Sequence, residues 1–264
     1  MSSIHDALRA GHAPPLRTAA ARRVLVAGGG GALGAAVLEQ LLAGRAFGAV
    51  AVLVTQPLSA ALSGLVPVRH EALLRPAPGA LGEGTAVVVF DRERHANGRE
   101  QAFWRPDPAG LPALASALQR RGVRHLVVVM PHAPATLPQA LKQGLASLDE
   151  QAVAALGFDH LVFVRSAQAH DTARSARALQ RLADWVLAQL QLMIPQRDKP
   201  VRALKVAQFT AQLAAHLPLA PPGTRVVPPE TVWEAAQSGD IATLARDWLH
   251  GREHAAAAIP KLRL

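Results

Sequence analysis

The chain has 264 residues, of which 50% are apolar and 18% charged, so it can bury a substantial core and form a folded domain without covalent staples. It contains no cysteine, which excludes disulfides, thiolate metal ligands and cysteine nucleophiles and favours a cytoplasmic location. The formal charge is +9, but the arginines are scattered and form no basic run. We therefore expect a generally basic surface and no specific nucleic-acid partner.

The first 22 residues contain arginines and prolines without a continuous apolar stretch, which is unlike a secretory signal. We interpret residues 1–22 as a loose leader. No apolar run elsewhere approaches the roughly 20 residues of a membrane-spanning helix, so no membrane partner is expected.

Short apolar runs alternate with longer segments whose apolar residues have helical spacing. The runs predict buried parallel strands at residues 24–27, 50–54, 66–69, 86–90, 125–130 and 160–164. The longer segments predict helices at residues 32–43, 111–121, 138–156 and 172–193, the second and third ending at Gly122 and Gly157. This βαβ order predicts an α/β fold with a doubly wound parallel sheet.

After Pro195 the pattern changes to proline-rich connections, a short run at residues 225–227 and helices at residues 229–237 and 241–249. We therefore place a domain boundary there. The prediction is a Rossmann-like dinucleotide-binding core at residues 23–195 and a small C-terminal substrate or partner lobe, packed on the core, at residues 196–264.

The segment VLVAGGGGALGAAVLEQLL, residues 24–42, predicts a strand, a glycine turn and a helix, with Gly28, Gly31 and Gly34 spaced three apart. In such a turn one glycine allows the sharp bend, another lets the backbone approach a pyrophosphate, and the last lets helix and strand pack closely. The helix N-terminus then faces the anion. The alternative is a flexible turn that binds nothing; the strand and helix on either side favour dinucleotide binding.

Together with EQAFWRPDPAGLPALASALQRRGVRHLVVVM (residues 100–130) and ALGFDHLVFVRSA (residues 155–167), this turn resembles the atypical short-chain dehydrogenases/reductases, especially the NmrA-like NAD(P)H-binding proteins. The resemblance covers about residues 22–240. It implies a cofactor at the glycine turn and a pocket over the carboxyl ends of the strands. The cofactor-binding residues that it implies are Gly28, Gly31, Ala32, Leu33, Gly34, Thr55 and Lys142.

Active members of that group have a serine at the end of the fifth strand, followed by a tyrosine and a lysine four residues apart on a helix. Here Met130 stands at the serine position, and Lys142 at the lysine position places Pro138 where the tyrosine belongs. The chain contains no tyrosine at all, so no shift of the alignment restores the proton donor. Lys142 could still hold a ribose hydroxyl.

His132, just past the fifth strand, is the candidate substitute acid, because its ordinary pKa suits proton transfer. A histidine without a special role is the alternative. His170 and Asp171 could form an acid–base pair, although a helix cap at Asp171 explains them more simply. The histidines show no metal-ligand spacing, so we expect no metal site.

The end of the predicted second strand, at Val54, Thr55 and Gln56, carries no carboxylate of the kind that binds the ribose of NAD. NADP is therefore the expected cofactor, with NAD possible, and Arg69 or Arg45 could supply a phosphate contact. The charged loop DRERHANGRE, residues 91–100, is unusual beside a cofactor. We expect it to turn outward; the alternative is that it crowds the site and weakens binding.

Three functions stay open on the sequence. The favoured one is a non-catalytic or sensor-like NAD(P)-binding protein that engages an unknown small molecule or protein. The second is an NAD(P)H-dependent oxidoreductase or epimerase-like enzyme that uses an acid such as His132. The third is a protein-interaction scaffold without a small ligand.

Overall fold

A computed structural model describes residues 22–58, 63–74, 84–91, 100–131, 149–166 and 201–252. Within them lies one seven-stranded sheet of order β3-β2-β1-β4-β5-β6-β7, in which every neighbouring pair is parallel. The strands are β1 Arg23–Ala27, β2 Ala49–Val54, β3 Leu65–Arg69, β4 Thr85–Val89, β5 His125–Pro131, β6 His160–Ser166 and β7 Gly223–Val227. All six predicted strands are confirmed, and the short run at residues 225–227 forms most of the seventh strand.

Helices cover both faces of this sheet. They are α1 Gly31–Ala43, α2 His70–Leu74, α3 Leu111–Arg120, α4 Ala203–His216, α5 Pro229–Gln237 and α6 Ile241–Leu249. Residues 149–154 form a further helical turn before β6. The predicted α/β fold with a doubly wound parallel sheet is confirmed. The helix predicted at residues 172–193, and most of the one at 138–156, lie outside the described residues.

The strands are apolar throughout because both of their faces are buried. In β1, Val24 and Val26 pack into the core beneath α1 and α4, whereas Leu25 and Ala27 pack into the core beneath α3. Alternate side chains of a strand point to opposite faces, so a sheet between two helical layers needs an uninterrupted apolar run. That requirement is why the strands could be found from the sequence.

Residues 201–252, from the region predicted as a C-terminal lobe packed on the core, share the sheet and the core of the preceding residues. Their strand β7 pairs with β6 from His160↔Gly223 to Val164↔Val227. Their helix α4, which the sequence analysis missed, packs beside α1 in the same core. The apolar spacing of Val206, Phe209 and Leu213 on α4 was the available signal. The described residues after 195 thus contribute a strand to the common sheet and a helix to the common core.

Two glycines predicted to end helices adopt the expected backbone. Gly122 has φ +89° and Gly157 has φ +80°, the left-handed region in which glycine is favoured over residues with a side chain. Within the described part of the chain, no helix combines the length and apolarity needed to cross a bilayer.

Candidate functional site

The glycine turn joins β1 to α1 at the carboxyl edge of the sheet, beside the end of β4. Gly28 has φ +88°, and a Cβ there would lie 2.1 Å from the carbonyl oxygen of Val89. A Cβ on Gly34 would lie 2.0 Å from the carbonyl oxygen of Gly28. Backbone occupies both positions, so neither residue can carry a side chain while the turn keeps this shape. Gly28 makes the bend and Gly34 allows the close packing, as the motif predicts.

The N-terminus of α1 receives an anion from the chain itself. Its N-cap residue, Gly30, has no side chain to accept a hydrogen bond. The carboxylate of Asp91, two residues after β4, fills that role: its Oδ2 accepts a hydrogen bond from the backbone N–H of Leu33, with an N···O distance of 2.8 Å. A Cβ on Gly31 would lie 2.5 Å from the same oxygen. Two of the predicted cofactor residues of the turn, Gly31 and Leu33, therefore lie against a carboxylate.

The charged loop was expected to turn outward, but its first residue, Asp91, turns inward to the glycine turn. The unpaired N–H groups at the start of a helix, together with its dipole, attract a carboxylate that comes within reach. Residues 92–99 of the same loop lie outside the described residues. The position of Asp91 fits the alternative interpretation, in which the charged loop crowds the cofactor site.

A stretch that we call the crossing segment, residues 101–106, runs over the carboxyl end of β2. Thr55 lies beneath it: its backbone N–H donates to the carbonyl oxygen of Ala102 over 2.8 Å, and its hydroxyl donates to that of Gln101 over 2.9 Å. The N–H of Trp104 donates to the carbonyl oxygen of Leu53 over 2.9 Å. Thr55, a predicted cofactor-binding residue, lies at the end of β2, and both of its donors bind backbone carbonyl oxygens of this chain.

The crossing segment also touches the glycine turn. A Cβ on Gly29 would lie 3.2 Å from Cδ1 of Phe103, and one on Gly28 would lie 3.3 Å from Cδ of Pro106. A small cleft remains between the two, and its lining consists of Gly28, Gly30, Val89, Asp91, Phe103 and Arg105. The turn and the end of β2 thus form one site that this chain partly fills.

The two arginines considered for a phosphate contact lie at opposite ends of the strands. Arg69 lies at the carboxyl edge of the sheet, where the strands end, and Arg45 lies at the amino edge, where they begin. Arg69, the last residue of β3, donates from Nη1 to the carbonyl oxygen of Thr55 over 2.6 Å, so its guanidinium lies at the end of β2. Arg45 follows α1 and lines a different cleft, with Arg22 and His216, at the amino edge. Of the two, Arg69 is the one placed beside the candidate site.

The end of β5 carries Met130 and Pro131, neither of which has a hydroxyl, whereas β6 ends at Ser166. Met130 stands near the end of β5, is partly buried and is paired in register with Arg165 of β6. The guanidinium of Arg165 donates to both carboxylate oxygens of Glu150, each at 2.7 Å. His132, Pro138, Lys142, His170 and Asp171 lie outside the described residues, so their suggested roles stay predictions.

A histidine pair at the amino edge was not foreseen. His125 and His160 begin β5 and β6 in register, and their Nδ1 atoms are 2.9 Å apart. The Nε2 of His160 lies 2.8 Å from the carbonyl oxygen of Ala220, which can only accept, so Nε2 carries a proton. The Nδ1–H of His125 then donates to the neutral Nδ1 of His160. Their positions at matching strand starts were the only signal in the sequence.

Burial, followed by the neighbouring His160, lowers the pKa of His125 to about 4. Arg124, next to His125, forms an ion pair of 2.5 Å with Asp159, next to His160. Among the residues that the structure describes, no cluster of three or more histidine, aspartate or glutamate side chains could hold a metal ion. The polar groups at the amino edge therefore pair with one another across the strands.

A parallel sheet of this order, with a glycine turn between β1 and α1, defines a Rossmann-like α/β fold, the architecture used by nucleotide-binding proteins of the short-chain dehydrogenase and epimerase type. The sequence matches no protein-family profile and no curated protein.

Solved structures of that type are similar to this chain in fold. A short-chain dehydrogenase/reductase superfamily protein from Agrobacterium tumefaciens with bound NAD is 14% identical with a TM-score of 0.46, covering 78% of this chain and 77% of that one. UDP-glucose 4-epimerase from Brucella ovis in complex with NAD is 18% identical with a TM-score of 0.43, and the match covers 78% of this chain and 77% of that one. A nucleoside-diphosphate-sugar epimerase from Staphylococcus aureus is 13% identical with a TM-score of 0.45, and the match covers 88% of this chain and 92% of that one. Their ligands are properties of those proteins.

Proposed function

We propose that this protein is a non-catalytic, sensor-like Rossmann protein of the atypical short-chain dehydrogenase/reductase type that binds a nicotinamide dinucleotide at its glycine turn. One observation carries the proposal: the turn brings the N-terminus of α1 to the carboxyl edge, and that N-terminus already binds an anion, the Asp91 carboxylate. A pyrophosphate is the anion that such a turn accommodates in dinucleotide-binding proteins. The same N–H group can serve either anion.

The absence of turnover follows from the residues available. Hydride transfer to a carbonyl needs a group that delivers a proton, and the chain has no tyrosine. Met130, near the end of β5, cannot donate a hydrogen bond to a substrate oxygen. Lys142 is included in the proposal only as a residue that holds a ribose hydroxyl.

We further propose NADP as the preferred cofactor and the cytoplasm as the place of action. The end of β2 presents Thr55 and no carboxylate, so nothing there repels a 2′-phosphate. The Arg69 guanidinium lies at that end, bonded to the carbonyl oxygen of Thr55. Arginine is well suited to phosphate because it carries several donors and a permanent charge.

The test is calorimetric titration of the purified protein with NADPH and NADH, repeated with Gly31→Asp. A side chain at this position meets the site directly, and its carboxylate repels a pyrophosphate, so we expect the variant to lose binding. Gly157→Asp is the matched control, since Gly157 has a similar positive φ and nothing within 4 Å of its Cβ position. Unchanged affinity in Gly31→Asp, with the fold intact, places any nucleotide site elsewhere and contradicts the proposal.

A second candidate function is a protein-interaction scaffold without a small ligand. It is favoured by one specific observation, the crossing segment, which already fills the donor and acceptor positions at the end of β2. This candidate predicts that neither NADPH nor NADH binds at millimolar concentration. The titration therefore decides between the two.

A further inference from the structure

The candidate site contains its own occupants, and they correspond to two parts of a dinucleotide. In Rossmann proteins the pyrophosphate lies at the N-terminus of the first helix and the ribose lies at the end of the second strand. Here Asp91 takes the first position and the crossing segment takes the second. We propose that these groups are an intrachain stand-in that a nucleotide must displace, so that binding releases residues 101–106. The inference rests on the proposed function and specifies how that site is regulated.

At the helix end the competition is between two anions. The Asp91 carboxylate and a pyrophosphate oxygen both need the N–H of Leu33, and both are attracted by the positive end of the α1 dipole. They also repel each other. A nucleotide can therefore enter in its usual place only when Asp91 leaves, and removal of the Asp91 charge makes entry easier.

At the end of β2 the competition is for hydrogen bonds. Pairing of β1 with β2 ends at Val26↔Val52, because the chain turns away at Gly28. The carbonyl of Leu53 and the N–H of Thr55 would otherwise lack backbone partners, and the crossing segment supplies them through Trp104 and Ala102. The 3′-hydroxyl of a ribose can donate to the carbonyl of Leu53, and a 2′-hydroxyl or 2′-phosphate can accept from the N–H of Thr55, so the nucleotide can replace that segment group for group.

The two occupants belong to the same connection in the chain, the one between β4 and α3. Asp91 stands near its start and the crossing segment near its end. Phe103 and Trp104 pack against the core and Pro106 is buried, whereas Gln101 and Arg105 are exposed. The hydrogen bond from the Thr55 hydroxyl to Gln101 is also exposed, and exposed hydrogen bonds characterise contacts that open at lower cost than a buried core. Displacement of Asp91 and release of residues 101–106 can thus occur in one step.

The first arm of the experiment measures affinity. NADPH and NADH are titrated by calorimetry into the wild-type protein, Asp91→Asn and Asp91→Ala, with thermal unfolding as the check on folding. We expect both variants to bind about tenfold more tightly, which corresponds to the loss of one charge-assisted competitor. Asp240→Asn is the matched control: Asp240 also accepts a backbone N–H at a helix start, from Thr243 at 3.0 Å, and the helix that it caps, α6, does not line the candidate site.

The second arm measures hydrogen exchange with and without saturating nucleotide. We expect nucleotide to speed exchange of the Trp104 amide, whose hydrogen bond to Leu53 is lost, and to leave the amides of β7 unchanged. Equal affinity of wild type and both Asp91 variants, or slower exchange at Trp104 on binding, overturns the stand-in while leaving nucleotide binding established. No binding by any of the proteins overturns the proposed function and this inference together.

Discussion

The two edges of the sheet use polar groups in opposite ways. At the amino edge, His125, His160, Arg124 and Asp159 satisfy one another between neighbouring strands. At the carboxyl edge, Asp91 satisfies a helix N-terminus that, in the Rossmann fold, is suited to a ligand. The first arrangement is complete without a ligand, and the second holds a position that another anion can take. The contacts at the amino edge thus stabilise the fold, whereas we propose that the Asp91 contact can be exchanged for a ligand.

The largest expected effect comes from Gly34, which holds the carboxyl edge in shape. In Gly34→Ala the new Cβ would lie 2.0 Å from the Gly28 carbonyl oxygen, so α1 must shift away from β1. We expect the free energy of unfolding to fall by about 3 kcal/mol, measured by urea denaturation. Gly110→Ala, which has nothing within 4 Å of its Cβ position, is the control and should change stability much less. Equal losses in the two variants would show that the close approach at Gly34 is not a constraint.

A smaller effect is expected from pH at the amino edge. The folded protein holds the pKa of His125 at about 4, below its ordinary value of 6.5, because burial and His160 oppose the charged form. The unfolded chain therefore binds more protons between these values, so stability is full above pH 6.5 and falls as the pH drops toward 4. The full shift corresponds to about 3 kcal/mol, which partial exposure of the ring reduces to about 1–2 kcal/mol.

Urea denaturation between pH 4 and 7 measures this loss. Burial also lowers the pKa of His216, so part of the acid sensitivity comes from that residue. His125→Asn keeps a donor for His160 but cannot titrate, and it should remove most of the remaining pH dependence. If wild type and His125→Asn lose stability equally on acidification, the histidine pair is not the acid-sensitive contact.

The smallest effect concerns cofactor choice at the end of β2. Arg69→Ala removes the guanidinium beside Thr55, and we expect NADPH affinity to fall about threefold, as an exposed charge contact allows. NADH affinity should be unchanged, because NADH has no 2′-phosphate. Arg45→Ala, at the amino edge, is the matched control. A parallel loss of both cofactors in Arg69→Ala would assign Arg69 to the shape of the site and not to phosphate recognition.

The sequence was informative where one physical requirement governs a long stretch. Burial on both faces forces β1 and β5 to be apolar, and the close approaches at Gly28 and Gly34 exclude side chains, so the strands and the turn could be predicted. Helix α4 could have been found from its spacing but was hidden by the prolines around it.

The contacts that occupy the site could not be predicted in the same way. Asp91 meets Leu33 across 58 positions of sequence, and Thr55 meets Ala102 across 47. Such contacts depend on the path of a connection, which local pattern does not encode. The same limit applies to His125 and His160, whose proximity follows from strand register.

The most direct test of the account is binding measured beside turnover on the same wild-type preparation. NADPH is titrated by calorimetry, and its oxidation is then followed by absorbance over a panel of aldehydes and ketones. We expect saturable binding with no oxidation above the rate without protein. Robust carbonyl reduction that is lost in His132→Ala would contradict the proposed function by showing that another acid replaces the missing tyrosine. The absence of any NADPH or NADH binding would contradict it by removing the ligand.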